Sequence, residues 1–173
     1  MIEYLKKIGK NNPIEDIYVV GFTDIEDGIM EFYSDLERMY FEMSYKYFAF
    51  ESVEQYSRIK MKITDEISYD YEIDEDMTRA RSSVSEIILN DTMSEGNIME
   101  QIIFYNLDEQ QNKDELICDA IEITLVNGQT LFLDPSYYFG INIGGNRQKE
   151  LWKLNYQGEQ EDIRETLVRI DDV

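Results

Sequence analysis

Apolar residues open the chain at helical intervals, Ile2, Leu5 and Ile8, and stop at Gly9, which predicts a short helix with a glycine stop. After KNNP the period changes. IYVVGF (17–22) is β-branched and aromatic, and Asp27-Gly28 separates it from IMEFYS, the pattern of a hairpin. From Arg38 to Ile63 aromatic residues crowd every second or third position, and Ile59, Met61 and Ile63 alternate with Arg58, Lys60 and Lys62. These are strands, the last with one wet face. In DEDMTRARSSVSEIILND, Met77, Ala80, Val84 and Ile87 recur at spacings of three, four and three, with Asp76 placed to cap. A helix is predicted over 77–89, although SVSEIIL also suits a strand. IMEQIIFYNL (98–107) reads as a strand and DEQQNKDE as a polar loop. In AIEITLVNGQTLFLD, Asn127-Gly128 supplies the positive φ angles of a type I′ turn, so Ile121 to Leu125 and Leu131 to Leu133 are expected to pair antiparallel. The tail mixes helical spacing (Ile163, Leu167, Ile170) with alternation (Trp152, Leu154, Tyr156) and supports either element.

The stretch most like a site is LFLDPSYYFGINIGG, residues 131–145. Proline removes a ladder donor and restricts the residue before it, so the strand must end at Asp134-Pro135 or pass to an edge. Beyond that corner Tyr137, Phe139, Ile141 and Ile143 are expected on one face, and Tyr138, Gly140, Asn142 and Gly144 on the other. Glycines at alternate positions admit another backbone, a bulge or a ligand. INIGGNRQKELW then suggests a strand, a glycine turn and a helix start. This makes Gly140, Gly144, Gly145 and Arg147, with Lys149, the candidate residues for a small-molecule or anion site. The spacing is neither a P-loop nor a dinucleotide fingerprint, so a structural turn without tight phosphate binding is expected.

Taken together the elements predict an α+β protein, mainly antiparallel sheet with a few flanking helices. Residues 1–173 form a single domain, and segments 36–63 and 116–143 can be aligned as an internal repeat. Leu36 then matches Leu116, Glu42 matches Glu122, Tyr56 matches Tyr138 and Ile59 matches Ile141.

Composition narrows the chemistry. At 173 residues and 43% hydrophobic, the chain can bury one core. No apolar run reaches membrane length, and MIEYLKKIGKNNP lacks the apolar stretch of a secretory signal, which points to the cytoplasm. Lone Cys118, in an apolar segment, reads as a small buried thiol. With no histidine, Ser-His-Asp and Cys-His nucleophiles and nearly all catalytic zinc sites are excluded. No catalytic residue, metal or cofactor is therefore assigned.

The charge is the loudest signal, since 37 acidic residues against 16 basic ones leave a net of -21. Such a field repels nucleic acid and anionic membrane and attracts a cationic protein. The densest acidic segment is DEISYDYEIDEDM, where Asp70, Glu72, Asp74 and Asp76 alternate with Tyr69, Tyr71, Ile73 and Glu75. Extended, it would present four carboxylates on one side. It lacks the glycine and terminal glutamate of a calcium loop. Two readings remain, a solvated edge and a docking ridge of Asp70, Glu72, Asp74, Glu75 and Asp76, with Tyr69 and Tyr71 adding flat contact area.

In size, acidity and absence of catalytic groups the whole chain resembles the immunity proteins that neutralise bacterial polymorphic toxins, whose nuclease members are often basic. The resemblance implies an inhibitor that covers the active surface of a basic, toxin-like partner, and it carries over no individual site residue. From other classes stand a small-molecule-binding α+β domain using Gly140 to Gly145 and a carboxylate-dependent hydrolase.

Overall fold

The amphipathic opening segment forms α1 (Ile2–Gly9), whose Leu5 and Ile8 are buried. Gly9 is its last residue before Lys10 turns extended, and glycine suits the packing there, because a Cβ would lie 3.0 Å from the Met99 side chain. The computed structural model describes residues 1–69, 72–91, 94–109, 114–137, 140–156, 158 and 160–171. The β-branched and aromatic segments form strands β1 (Asp16–Glu26), β2 (Ile29–Met43), β3 (Lys46–Val53), β4 (Arg58–Thr64), β5 (Thr78–Ser83), β6 (Met99–Tyr105), β7 (Glu115–Cys118), β8 (Ala120–Leu125), β9 (Thr130–Tyr137), β10 (Gly140–Gly144) and β11 (Glu165–Arg169). Two further helices, α2 (Ser85–Ile88) and α3 (Asn146–Asn155), lie outside the sheets. Among the described residues no helix is long and apolar enough to cross a membrane.

The strands build two antiparallel sheets, in the orders β5-β1-β2-β3-β4-β7 and β10-β9-β8-β6-β11. Period-two alternation gives each an apolar inner face. Ile17, Phe41, Phe48, Phe50, Ile59 and Met61 of the first sheet share one core with Ile102, Phe104, Ile121, Ile123, Leu131 and Leu133 of the second. The chain crosses between the sheets at Asp119, the single residue separating β7 from β8. Cys118, just before it, is buried, and burial pushes its thiol pKa up, which leaves it unreactive. The outer face of the second sheet carries a smaller cluster, where Trp152 of α3 covers Tyr105, Ala120 and Phe132.

Three expectations are corrected. The helix over 77–89 is instead β5 followed by the one-turn α2, because Thr78 to Ser83 pair with β1 from Thr23↔Thr78 to Tyr18↔Ser83. Ladder bonds to β1 outweigh the helical spacing. Strands β8 and β9 do pair as expected, Ile121↔Leu133 through Thr124↔Thr130, but their turn is not type I′. Only Gly128 has positive φ, and Gly128 N–H donates to the Leu125 carbonyl at 2.8 Å while Leu125 N–H donates to that of Gln129 at 2.9 Å. This is a type I turn closed by a left-handed glycine. The two-residue I′ loop occurs at Asp27 (φ 52°) and Gly28 (φ 79°) instead.

At Pro135 the chain takes the second of the two expected courses and passes to an edge. Strand β9 runs on to Tyr137, leaving β8 after Leu133 and pairing with β10 alone, so the proline occupies a free edge. Finally, residues 137 to 143 are not one strand but the adjoining ends of β9 and β10, paired Tyr137↔Gly140, with Tyr138 and Phe139 outside the described residues. The tail resolves into α3 and β11. Trp152 belongs to the helix, whereas Val168 and Ile170 enter the main core. The segments aligned as a repeat contain the end of β2 with β3 and β4, and β7 to β10.

Candidate functional site

The outer face of the first sheet holds the acidic segment. Where β4 ends, the Thr64 hydroxyl donates to the Glu66 carbonyl at 2.9 Å. Tyr40 Oη then donates to the Ser68 carbonyl at 3.0 Å and Arg79 Nε to that of Tyr69 at 3.2 Å. Side chains from β2 and β5 thus strap the segment across the sheet. Among the described residues the segment has no ladder partner, and Met77 N–H donates to the Asp74 carbonyl at 3.1 Å, closing a turn at its end. Glu72, Asp74, Glu75 and Asp76 are exposed and Tyr69 is half-buried. Asp70 and Tyr71 lie outside the described residues.

Beside this loop lies a groove of about 330 Å³ lined by Arg38, Tyr40, Glu51, Lys60, Lys62 and Ser68, among others. Its cations are already engaged. Arg38 pairs with Asp35 at 2.7 Å and Glu51 at 3.3 Å, Lys60 pairs with Glu51, and Lys62 reaches Glu115 at 3.4 Å. Burial alone would push the Glu51 carboxyl up. The hydrogen bond and charge of Lys60, then those of Arg38, overcome it and hold the group below the ordinary carboxylate value.

The glycine residues of 140–145 are divided among three roles. Gly140 has φ +117°, and a Cβ there would fall 2.1 Å from the Leu36 carbonyl oxygen, so the space it leaves is filled by the backbone of β2. Gly144 faces the Gln148 side chain, whose Cβ would be 2.8 Å from an added Cβ. Gly145 stands at the N-cap of α3, where an added Cβ would make only an ordinary contact, 3.6 Å, with the Thr130 carbonyl oxygen. A groove of about 570 Å³ passes Gly144 and Gly145 on its way between Ile87, Gln129 and Leu131, but neither Gly140 nor Arg147 lines it. Arg147 points to solvent. Lys149, the second cation expected there, instead turns to Glu122 at 2.7 Å, and Glu122 also accepts from Tyr105 Oη at 2.5 Å. Of the four candidate ligand residues, Gly144 and Gly145 thus share a groove, while Gly140 and Arg147 lie outside it.

The two carboxylates most shielded from water are committed to structure. Glu122 holds Lys149 and Tyr105, and Asp134 accepts from Ser136 N–H at 2.9 Å and Gln148 Nε2 at 2.8 Å. Among the described residues no three acidic or thiol groups converge to hold a metal ion.

One surface escaped the reading of the sequence. The tip of the β1–β2 hairpin exposes Ile25, Ile29, Met30, Phe32 and Tyr33 beside Asp24, Glu26, Asp27 and Glu31. The signal was the continuation of strand pattern on both sides of Asp27-Gly28 for longer than a neighbouring strand could follow. Compared with protein-family models, curated proteins and solved structures, the chain matches none.

Proposed function

We propose that the protein is a binding module for a basic protein, acting as an inhibitor that covers its partner's working surface in the manner of an immunity protein. One observation carries this reading: several of the cations are tied to carboxylates inside the molecule, and a larger number of carboxylates is left over. Arg38, Arg58, Lys60, Lys62 and Lys149 are each tied to acidic side chains. Glu72, Asp74, Glu75 and Asp76, and on the hairpin Asp24, Glu26 and Asp27, take part in no ion pair among the described residues. Exposed cations remain, Arg147 and Arg169 among them, but the accessible charge is predominantly negative. A field of that kind accelerates encounter with a cationic surface and resists anionic ones.

Co-purification from its own cells, followed by association kinetics with the purified partner, tests this. The partner is expected to be basic. The association rate should fall by roughly tenfold or more between about 0.01 M and 0.15 M salt, with dissociation changing less. Replacing Asp70, Glu72, Asp74, Glu75 and Asp76 by their amides should reproduce much of that slowing without unfolding the protein. An acidic partner, or association indifferent to salt, overturns the reading.

A further inference from the structure

The β1–β2 hairpin leaves the body of the molecule as an arm. Strand β5 accompanies β1 only as far as Thr23↔Thr78, and β3 joins β2 only from Arg38. Cross-strand partners share a face, so Ile25↔Met30 and Thr23↔Phe32 form one side of the arm, and Asp24↔Glu31 with Glu26↔Ile29 the other. The first side has the parity of Ile17 and Val19, which line the core lower down the same strand. At the tip it is no longer covered, and Ile25 and Met30 are 64% and 67% exposed. The second side is acidic, with Asp24, Glu26, Asp27, Ile29 and Glu31 around a groove of about 300 Å³.

We infer that this arm is the contact by which the protein docks its basic partner. The apolar side, Ile25, Met30 and Phe32, enters an apolar recess, and the carboxylates meet lysine or arginine side chains at its rim. The assignment rests on the reading of the chain as a binder of a basic protein and narrows that reading to one surface. Charge selects the occupant. A second copy of this chain would bring the same four carboxylates against them, whereas a basic surface neutralises them. Exposed apolar groups gathered in one place mark interaction sites, and the flanking charges keep the free strand edges from pairing indiscriminately. The arm is also preorganised, which lowers the ordering cost of binding. Its tip is a two-residue turn with positive φ at Asp27 and Gly28, Phe22 stacks on Tyr33 with ring centroids 5.2 Å apart, and Tyr33 Oη donates to Glu31 at 2.5 Å.

The test places a photo-cross-linking residue, p-benzoylphenylalanine, at Met30, at Glu75 of the acidic loop or at Ile87 of α2 in the full-length protein, expressed in its own cells. Adducts are identified by mass, and the captured protein is purified for affinity measurement. The expected result is one basic protein joined at Met30 and absent at Ile87, whose Kd rises roughly tenfold or more with Ile25→Ser plus Met30→Ser while the circular dichroism spectrum is unchanged. A basic protein captured at Glu75 but not at Met30 overturns the arm and leaves the wider reading standing. So does an unchanged Kd for the arm variant. Self-adducts or an acidic protein at Met30 overturn both, as do adducts at none of the three positions.

Discussion

Two hairpins of this protein are written alike and end in opposite surroundings. In β8–β9, around Gly128, both faces are covered: Ile121, Ile123, Leu131 and Leu133 enter the main core, and Ala120 and Phe132 lie beneath Trp152. In β1–β2, around Asp27-Gly28, the strands outrun their neighbours and the same kinds of residue meet water. Turn chemistry and alternation are local and decide only that the chain reverses. What covers a hairpin is decided by other elements of the chain, here α3 and the first sheet. A covered hairpin contributes to stability, whereas an uncovered one is free to contribute to binding.

The contrast can be broken most forcefully at its covered end. Trp152 packs against Tyr105, Phe132 and Tyr156 with ring centroids 5.2, 5.7 and 5.5 Å away. Trp152→Ala should cost about 4 kcal/mol in denaturant unfolding. A loss below about 1 kcal/mol, the scale of an ordinary surface change, would mean that α3 is no seal.

Gly140→Ala should come next, at about 3 kcal/mol, because the new Cβ meets the β2 backbone and φ is positive. Gly145→Ala, whose Cβ would meet only the Thr130 carbonyl oxygen at an ordinary 3.6 Å, should stay within about 0.5 kcal/mol. Equal effects at the two glycines, measured by the same unfolding experiment, would refute the assignment of Gly140 to close backbone approach.

A pH series sharpens the account of the outer face. The Glu51 carboxyl is held down in the folded state, so its stabilising contribution is complete above the ordinary carboxylate pKa and is lost as pH falls through the lower folded value. The window lies below about pH 4. The stability difference between wild type and Lys60→Met should therefore be largest near neutrality and shrink below that pH. A difference that grows on acidification would contradict the pairing.

The smallest effect is expected on the arm. Ile25→Ser with Met30→Ser should change unfolding free energy by no more than about 0.5 kcal/mol, since neither side chain is buried. A large loss would place the arm against the body of the protein and remove it from the binding surface.

The strands were the most legible part of the chain. Ile59, Met61 and Ile63 alternate with Arg58, Lys60 and Lys62 in β4 as the sequence predicts, because a half-buried strand needs that pattern. The 77–89 segment was ambiguous, since helical spacing at Met77, Ala80, Val84 and Ile87 competed with a strand partner that lies more than fifty residues away. The acidic loop was legible in composition but not in shape, because the straps from Tyr40 and Arg79 are long-range.

By itself the sequence determined the antiparallel class, the reversals at Gly28 and Gly128, the surplus of negative charge and the lack of histidine chemistry. These follow from periodicity, backbone freedom and counting, which need no knowledge of neighbours. Tertiary structure decided which faces are covered, which cations are consumed, and what each glycine accommodates. Lys149 illustrates the reason: beside Gly145 in sequence, it reads as an anion ligand, yet packing α3 on the second sheet brings it to Glu122, where an opposite charge shielded from water holds it in place.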